Sequence, residues 1–366
     1  MTSLEALVAL TLLPKIGPVR VRRLLERFKY PEAILSASKN ELKQVDGIGE
    51  ETAKLLCSWE DHADPTKEID EVKQRGLTFL LPEDPTYPPA LRQAYDAPLL
   101  LYVWGKLEER DRHAIGVVGT RRITHYGRTA TKKLSFQLAH AGFTIVSGLA
   151  RGVDTVAHES ALAAGGRTVG IIGSGLAKLF PAENLGLAEK IAAGNGAIVS
   201  EFPLHTSPDK QTFPQRNRIV ASWSRALLVT ECPAWSGSLI TANLASEYGR
   251  PVFSVPGPID SPTSAGCNRL IRDGATLITD AGELMDDIGE LPFARKPALP
   301  EAEANSKPEL PEEEAKVFAA LDGGESGVDR IIDITGLPAP MVTATLMKLE
   351  MRRLIRALPG FRYAKR

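Results

Sequence analysis

Phe213-Pro214-Gln215-Arg216-Asn217-Arg218-Ile219, then Ser236-Gly237-Ser238-Leu239-Ile240-Thr241, then Pro256-Gly257, then Gly266-Cys267-Asn268-Arg269-Leu270-Ile271, is the stretch on which the reading of this chain turns. Short apolar runs (Ala226 to Thr230, Pro251 to Val255, Ala275 to Ile278) are interleaved with these polar segments. Each polar segment is small, rich in Gly or Ser, and opens a helix. Strand and helix alternating in this way predict βαβ units and a parallel sheet. Amides at a helix start, unobstructed by side chains, attract phosphate oxygens. Arginines beside them suit a chain of phosphates better than a neutral ligand. The pattern points to a polyanion, with nucleic acid as the leading candidate.

Working outward, seven strands are predicted: Ile115–Val118, Phe143–Val146, Thr168–Ile172, Ala197–Ser200, Ala226–Thr230, Val252–Val255 and Thr276–Ile278. They are dense in Val and Ile, as a sheet covered on both faces requires. Helical patterns alternate with them, among them Tyr126–His140, Val153–Ala164, Gln215–Ser222 and Ser238–Tyr248. The expectation is an α/β domain over residues 111–290, a doubly wound, mainly parallel, extended Rossmann-like sheet.

Residues 1–65 read as a small helical module. Ile16-Gly17 and Ile48-Gly49 each sit between two short helices, resembling two copies of the helix-hairpin-helix motif, which holds a DNA phosphate without reading bases. Arg20, Arg22 and Arg23 follow the first hairpin, whereas Glu50 and Glu51 follow the second and make it the poorer phosphate binder. Residues 66–110 read as a Pro-rich connecting segment whose apolar end, Leu99 to Trp104, suits a strand. Residues 291–311 have linker composition. Residues 312–366 predict three short helices and a hairpin with Pro359-Gly360 at its tip, the winged-helix variant of helix-turn-helix. The third of those helices carries little basic character, so both DNA contact and protein contact stay open for this module.

The composition (366 residues, 43% hydrophobic, 24% charged) is that of a globular protein of two or three domains. A net charge of -1 carries no polyanion signal, but Lys15 to Lys29 holds six basic residues against one acid, and Lys348 to the end seven against one. Cys57, Cys232 and Cys267 show no CxxC spacing, which argues against a zinc site and a disulfide framework. No run approaches the ~20 apolar residues of a membrane span, and the start has no signal-peptide pattern. The expectation is a cytoplasmic protein with no membrane partner and no cofactor.

In an open parallel sheet, ligands bind beyond the carboxyl ends of the strands. Five loops placed there are phosphate-friendly: Gly119-Thr120-Arg121-Arg122, Ser147-Gly148-Leu149-Ala150-Arg151-Gly152, Gly173-Ser174-Gly175, Ser236-Gly237-Ser238, and Pro256-Gly257 with Ser264-Ala265-Gly266. With Arg121, Arg151, Arg216, Arg218, Asn217 and Arg269 nearby, they form a candidate rim. Phe213 beside Arg216 and Arg218 suits base stacking with phosphate tracking, or equally a place in the core. Enzyme signatures fail: Lys178 stands where the dinucleotide fingerprint needs its third glycine, and neither a GxxxxGK[ST] loop nor a GxSxG elbow occurs. Asp154 and His158, four apart on one helix face, have no third ligand in register and read as structural. Glu201 and Glu231 end strands, where a lone carboxylate serves loop amides. No catalytic residue and no metal ligand is assigned.

Val118-Gly119-Thr120-Arg121, the Ser147 to His158 segment, Phe213 to Ile219, Ser236 to Thr241 and Val255-Pro256-Gly257 together resemble the DprA/Smf family of DNA-processing proteins. Thr120 replaces the family's usual Ser and keeps a hydroxyl. The resemblance implies a non-enzymatic protein that binds incoming single-stranded DNA during natural transformation, protects it, helps load the RecA recombinase, and forms a homodimer through the α/β domain. It implies Arg121 as the leading phosphate contact, with Arg216 and Arg218 next. The alternative is a phosphoribohydrolase related to the lysine-decarboxylase-like enzymes, but Ala242-Asn243-Leu244 follows the Ser236 loop where those enzymes carry a catalytic Glu.

Overall fold

The computed structural model describes residues 1–289, 311–321, 326–351, 354–358 and 362–365. The chain divides into two compact units, Met1–Arg295 and Lys296–Arg366. The body of the expected linker, 291–310, and the hairpin tip Pro359-Gly360 lie outside the described residues.

The larger unit is built on a nine-stranded sheet. Its strands are β1 (Thr78–Leu80), β2 (Leu101–Gly105), β3 (Ala114–Val118), β4 (Thr144–Ser147), β5 (Thr168–Ile171), β6 (Gly196–Ser200), β7 (Ala226–Val229), β8 (Val252–Ser254) and β9 (Thr276–Leu277). Their order is β1-β2-β6-β5-β4-β3-β7-β8-β9. From β6 to β9 all pairs are parallel, and β2 joins β6 antiparallel. The doubly wound, mainly parallel expectation therefore holds. Residues 66–110, read as a connection, in fact supply the two antiparallel strands, and Tyr87 and Leu91 from the same segment are fully buried in the core. The strand expected at Leu99 to Trp104 is β2, whereas β1, only three residues long, was concealed by the Pro-rich composition around it.

Alternate residues of each strand face opposite layers. Ala114 and Val118 of β3 pack with Ile219, Val220 and Ala242 from the helices Thr212–Trp223 and Gly237–Glu247. Ile115 and Val117 pack with Leu134, Leu138, Ala157 and Ala161 from the helices His125–His140 and Val153–Ala163. Trp223, fully buried, donates its indole N–H to the carbonyl of Asp111 at 3.1 Å, so its polar end is satisfied. Strand order reverses between β3 and β7, which makes the carboxyl ends of β3 and β7 the topological switch point, with β4 next to it.

The amino-terminal helices Ser3–Leu12, Pro18–Phe28, Pro31–Ser36, Lys39–Leu42 and Glu50–Cys57 share a core of Leu10, Leu24, Ile34, Leu42 and Leu56. Gly17 and Gly49 are the N-caps of the helices after the two hairpins. Arg23 is paired with Asp46 across the two hairpins at 2.8 Å, and Glu50 takes Lys39 and Lys43. The smaller unit has three helices, Glu312–Ala319, Val328–Thr335 and Ala339–Met351, with strands β10 (Ser326–Gly327), β11 (Ile355–Leu358) and β12 (Arg362–Lys365) ordered β10-β12-β11. Val317, Ile331, Val342, Leu346 and Leu349 fill its core, the winged-helix arrangement. Among the described residues, no helix is long and apolar enough to cross a membrane, and no cluster of His, Cys, Asp or Glu is placed to hold a metal.

Candidate nucleic-acid interface

The helix Thr212–Trp223 begins three residues earlier than its sequence pattern suggests, because Pro214 in the first turn forfeits no intrahelical hydrogen bond. The earlier start places Phe213, Arg216 and Asn217 on one helical face, at spacings of three and four. That face borders the carboxyl ends of β3, β4 and β5.

Arg216 is only 5% exposed and lies against the loop after β4. A Cβ built on Gly148 would fall 1.4 Å from Arg216 Nη1, so the guanidinium occupies the space a side chain would need. The loop beneath it is tightly held. Leu149 is buried with φ 54°, a left-handed backbone that non-glycine residues seldom adopt. Asp154 accepts the amides of Gly148 at 3.0 Å and Ala150 at 3.3 Å, and Asn184 Nδ2 donates to the Leu149 carbonyl at 2.8 Å. Gly148 therefore serves the site by being small, while its amide is already committed to Asp154.

Burial pushes the Asp154 carboxyl up, against the opposing pull of Arg216 and the loop amides. Burial also brings the Arg216 guanidinium down to about 10, with Asp154 pulling up and Arg121 pushing down. Arg121 and Arg216 are thus near enough to repel. Arg216 Nε is buried with no hydrogen-bond partner. Arg121 lies over the ring of Phe213, 5.2 Å from its centroid, and that ring in turn lies against Gly173 and beside Phe180 at 6.0 Å between centroids.

The other arginines expected at the rim each form an ion pair, exposed for Arg151 and Arg269 and buried for Arg218. Arg151 makes two bonds to Glu183, at 2.5 and 2.6 Å. Arg218 pairs with Glu201 and donates to the carbonyl of Asp96 at 2.6 Å, which ties the helix to the segment before β2. Arg269 pairs with Asp273 at 3.3 Å. Among the described residues, Arg121 and Arg216 have no carboxylate within 4.0 Å (the ion pairs formed are those of other residues).

The small residues of the rim divide in the same way. A Cβ on Gly119 would meet Val153, and one on Gly175 the carbonyls of Pro203 and Leu204 at 2.1 Å, so these two glycines permit close packing. Thr120 Oγ1 accepts the amide of Arg122 at 3.1 Å and its own amide donates to the carbonyl of Glu231 at 2.8 Å, stitching the β3 loop to the β7 loop. Ser174 is buried, with an unpartnered hydroxyl. Ser238 is turned inward onto Cys232, whereas Ser236 caps the helix Gly237–Glu247 and Gly237 faces open space. Asn217 Nδ2 donates to the carbonyl of Gly237 at 3.5 Å. The carboxylate of Glu231 takes the amide and hydroxyl of Thr124 at 2.8 and 2.6 Å and the hydroxyl of Thr263 at 2.8 Å, which is the loop-holding part a strand-end carboxylate plays. Sequence reasoning did not single out Phe180 and Trp235; Phe180 lies five residues past Gly175 and Trp235 just before Ser236, and the exposure of each is a tertiary property.

His158 sits beneath this loop, fully buried, with Nδ1 2.6 Å from Thr168 Oγ1. Burial, reinforced by Arg216, holds its pKa down to about 3. Below its ordinary pKa of roughly 6.5 the unfolded chain takes up a proton that the folded chain refuses, so stability is full above that pH and is lost as pH falls toward 3. The slope approaches about 1.4 kcal/mol per pH unit only once the unfolded imidazole is mostly protonated, so this contribution falls by about 2 kcal/mol between pH 6.5 and 4.5. Asp154, whose raised carboxyl contributes the opposite slope, titrates in both proteins when wild type is compared with His158→Gln. Urea unfolding at pH 6.5 and 4.5 should show the variant losing that much less; equal losses would refute the assignment.

The molecule is an open, doubly wound α/β sheet with Arg121 and Arg216, neither in an ion pair among the described residues, at the carboxyl edge of its strands. Residues 78–289 match the family model for DNA recombination-mediator protein A, residues 301–360 that for the DprA winged helix domain, and residues 7–58 that for a SAM-like helix-hairpin-helix tandem. The chain is 36% identical to Protein Smf of Synechocystis sp. over 382 residues, covering 96% of each. The X-ray structure of DNA processing protein A from Streptococcus pneumoniae superposes with a TM-score of 0.68 at 30% identity, covering 80% of this chain and 99% of that one. A structure of DNA processing protein A from Helicobacter pylori, described for its single-stranded DNA binding mode, gives a TM-score of 0.52 at 32% identity over 58% of this chain and 95% of that one. The chain belongs to the DprA/Smf family of DNA-processing proteins.

Proposed function

We propose that this protein binds single-stranded DNA without sequence preference along the rim formed by Arg121, Phe213, Arg216, Asn217 and the loops of Gly148 and Gly237, that it does so without catalysis, and that it acts as a homodimer which protects incoming strands and helps load the RecA recombinase during natural transformation. The observation that carries the DNA reading is the convergence of Arg121 and Arg216 on one edge with no carboxylate partner, one of them buried with an unsatisfied Nε. Asp154 offsets part of the Arg216 charge without forming an ion pair, and a phosphate at the exposed Arg121 edge answers the positive potential that remains. The single-stranded DNA binding named for the Helicobacter pylori relative supports the choice of ligand. Membership of the family supports the recombination role, and the cytoplasm is the compartment that this role requires. The paired arginines, Arg151, Arg218 and Arg269, serve the architecture of the rim in this reading.

The hydrolase alternative asks for a carboxylate near the start of the helix after β7, and the first turn of Gly237–Glu247 has none. No cleavage of nucleoside monophosphates is expected.

Fluorescence anisotropy of a labelled single strand and its duplex, across a salt series, tests the proposal. Wild type should prefer the single strand. Arg121→Ala should bind roughly tenfold more weakly, as loss of one hydrogen bond to a charged group implies, with the salt slope shallower by about 0.7. Equal affinity for the two forms, with no effect of Arg121→Ala, would defeat the reading and leave monophosphate cleavage as the next assay.

A further inference from the structure

The candidate interface has its free cations at the centre and exposed aromatic rings on both flanks. Phe180, in the loop after β5, is 43% exposed, and Trp235, in the loop after β7, is 92% exposed. The order β5-β4-β3-β7 separates these loops by three strand spacings, about 14 Å. Arg121 after β3 and Arg216 over the β4 loop lie between them. Contacts join the two flanks. Phe180 stands beside Phe213, which carries Arg121. One turn along the same helix face, Asn217 bonds the carbonyl of Gly237, two residues from Trp235.

Phe213 is poorly placed to offer a free face, since it is half-buried, with Arg121 over its ring and Gly173 against it. Its part is to position the guanidinium. Trp235 is the reverse: with nine-tenths of its surface in water, it gains almost nothing from burial, and its indole faces are open.

We propose that Phe180 and Trp235 are base-stacking platforms, one at each end of the phosphate-binding centre, so that a single strand lays its backbone over Arg121 and Arg216 and one base on each ring. The inference rests on the single-strand reading of the rim and adds the residues that hold the bases. Every base has a π-face, so stacking gives affinity without sequence preference. In a duplex the base faces are already stacked, so the same rings discriminate against double strands.

Tryptophan emission during titration with oligothymidylate, read beside anisotropy, tests this. Trp223 is fully buried and Trp59 and Trp104 are half-buried, so quenching present in wild type and absent in Trp235→Phe reports Trp235. Trp235→Ala and Phe180→Ala should each weaken single-strand binding by roughly five- to 150-fold. Trp235→Phe and Phe180→Tyr should restore most of it, which a merely structural role would not require, and duplex binding should be unchanged in all four. If wild type binds the single strand but its emission is unquenched and both alanine variants bind as wild type does, the platforms are refuted while the arginine centre stands. If wild type does not bind the single strand, the reading of the rim fails and this inference with it.

Discussion

Gly148→Ala is expected to weaken single-stranded DNA binding by about two orders of magnitude, the equivalent of about 2.7 kcal/mol and near the upper value for a hydrogen bond to a charged group. The added methyl would sit 1.4 Å from Arg216 Nη1 and 2.4 Å from Cζ, so the guanidinium must leave its place. Arg216 is buried, and the loop that carries Gly148 is fixed by Asp154, which accepts the Gly148 and Ala150 amides. Displacement would therefore remove the phosphate contact proposed for Arg216 and also cost folding stability, about 1–3 kcal/mol for overpacking. A double-mutant cycle with Arg216→Ala separates these effects: once the guanidinium is gone, the extra methyl should add little further loss in affinity. Arg121 and Phe213 remain in place, so residual, salt-sensitive binding is expected. Wild-type affinity in Gly148→Ala would show that the guanidinium position above this glycine is irrelevant to DNA.

The second large effect belongs to the opposite end of the sheet. Arg167, 5% exposed, makes a two-pronged pair with the fully buried Asp111, Nε to Oδ1 and Nη2 to Oδ2, both at 2.8 Å. Asp111 Oδ1 also takes the hydroxyl of Thr144 at 2.8 Å, and Arg167 donates to the carbonyl of Lys106 at 2.7 Å. The pair thereby locks together the starts of β3, β4 and β5. Asp111→Ala leaves the buried guanidinium with the partly exposed Glu108, at 3.0 Å, as its remaining carboxylate partner and should cost about 3 kcal/mol in denaturant unfolding. Replacing both partners, as Asp111→Ala with Arg167→Leu, should recover part of that loss, because the under-compensated charge is removed as well. A loss below about 1 kcal/mol for Asp111→Ala, the range of an exposed pair, would mean that water reaches the site. Because these residues lie at the amino ends of the strands, the folded fraction of Asp111→Ala should bind single strands with wild-type affinity, in contrast to Gly148→Ala.

The two predictions mark how far the sequence reading reached. The parallel strands β3 to β8 were legible because a strand covered on both faces is apolar throughout, and the glycine- and serine-rich segments after them show where the chain turns into helices. That placed Arg121, Arg216 and the Gly148 loop on one edge. The apolar run Leu99 to Trp104 also marked β2, but β1 was missed, because it is three residues long and the proline-rich chain around it carries the signals of a loop. Which arginines are free was mostly not legible, the exception being Arg269, whose partner Asp273 stands four residues on. Arg121, Arg151, Arg216, Arg218 and Arg269 look alike in sequence, yet three of them are paired, by Glu183, Glu201 and Asp273. Glu183 and Glu201 lie 32 and 17 residues from their arginines.

By itself the sequence determined the order of strands and helices, and with it the end of the sheet at which a ligand binds, since both follow from hydrophobic period and turn chemistry along the chain. Only the tertiary structure decided what each residue does there. It committed the Gly148 amide to Asp154 and left that glycine as space for Arg216. It exposed Phe180 and Trp235 while turning Phe213 into a support for Arg121. The physical reason is that charge compensation and ring exposure depend on distances of a few ångströms between residues far apart in the chain, and local pattern carries no record of those distances.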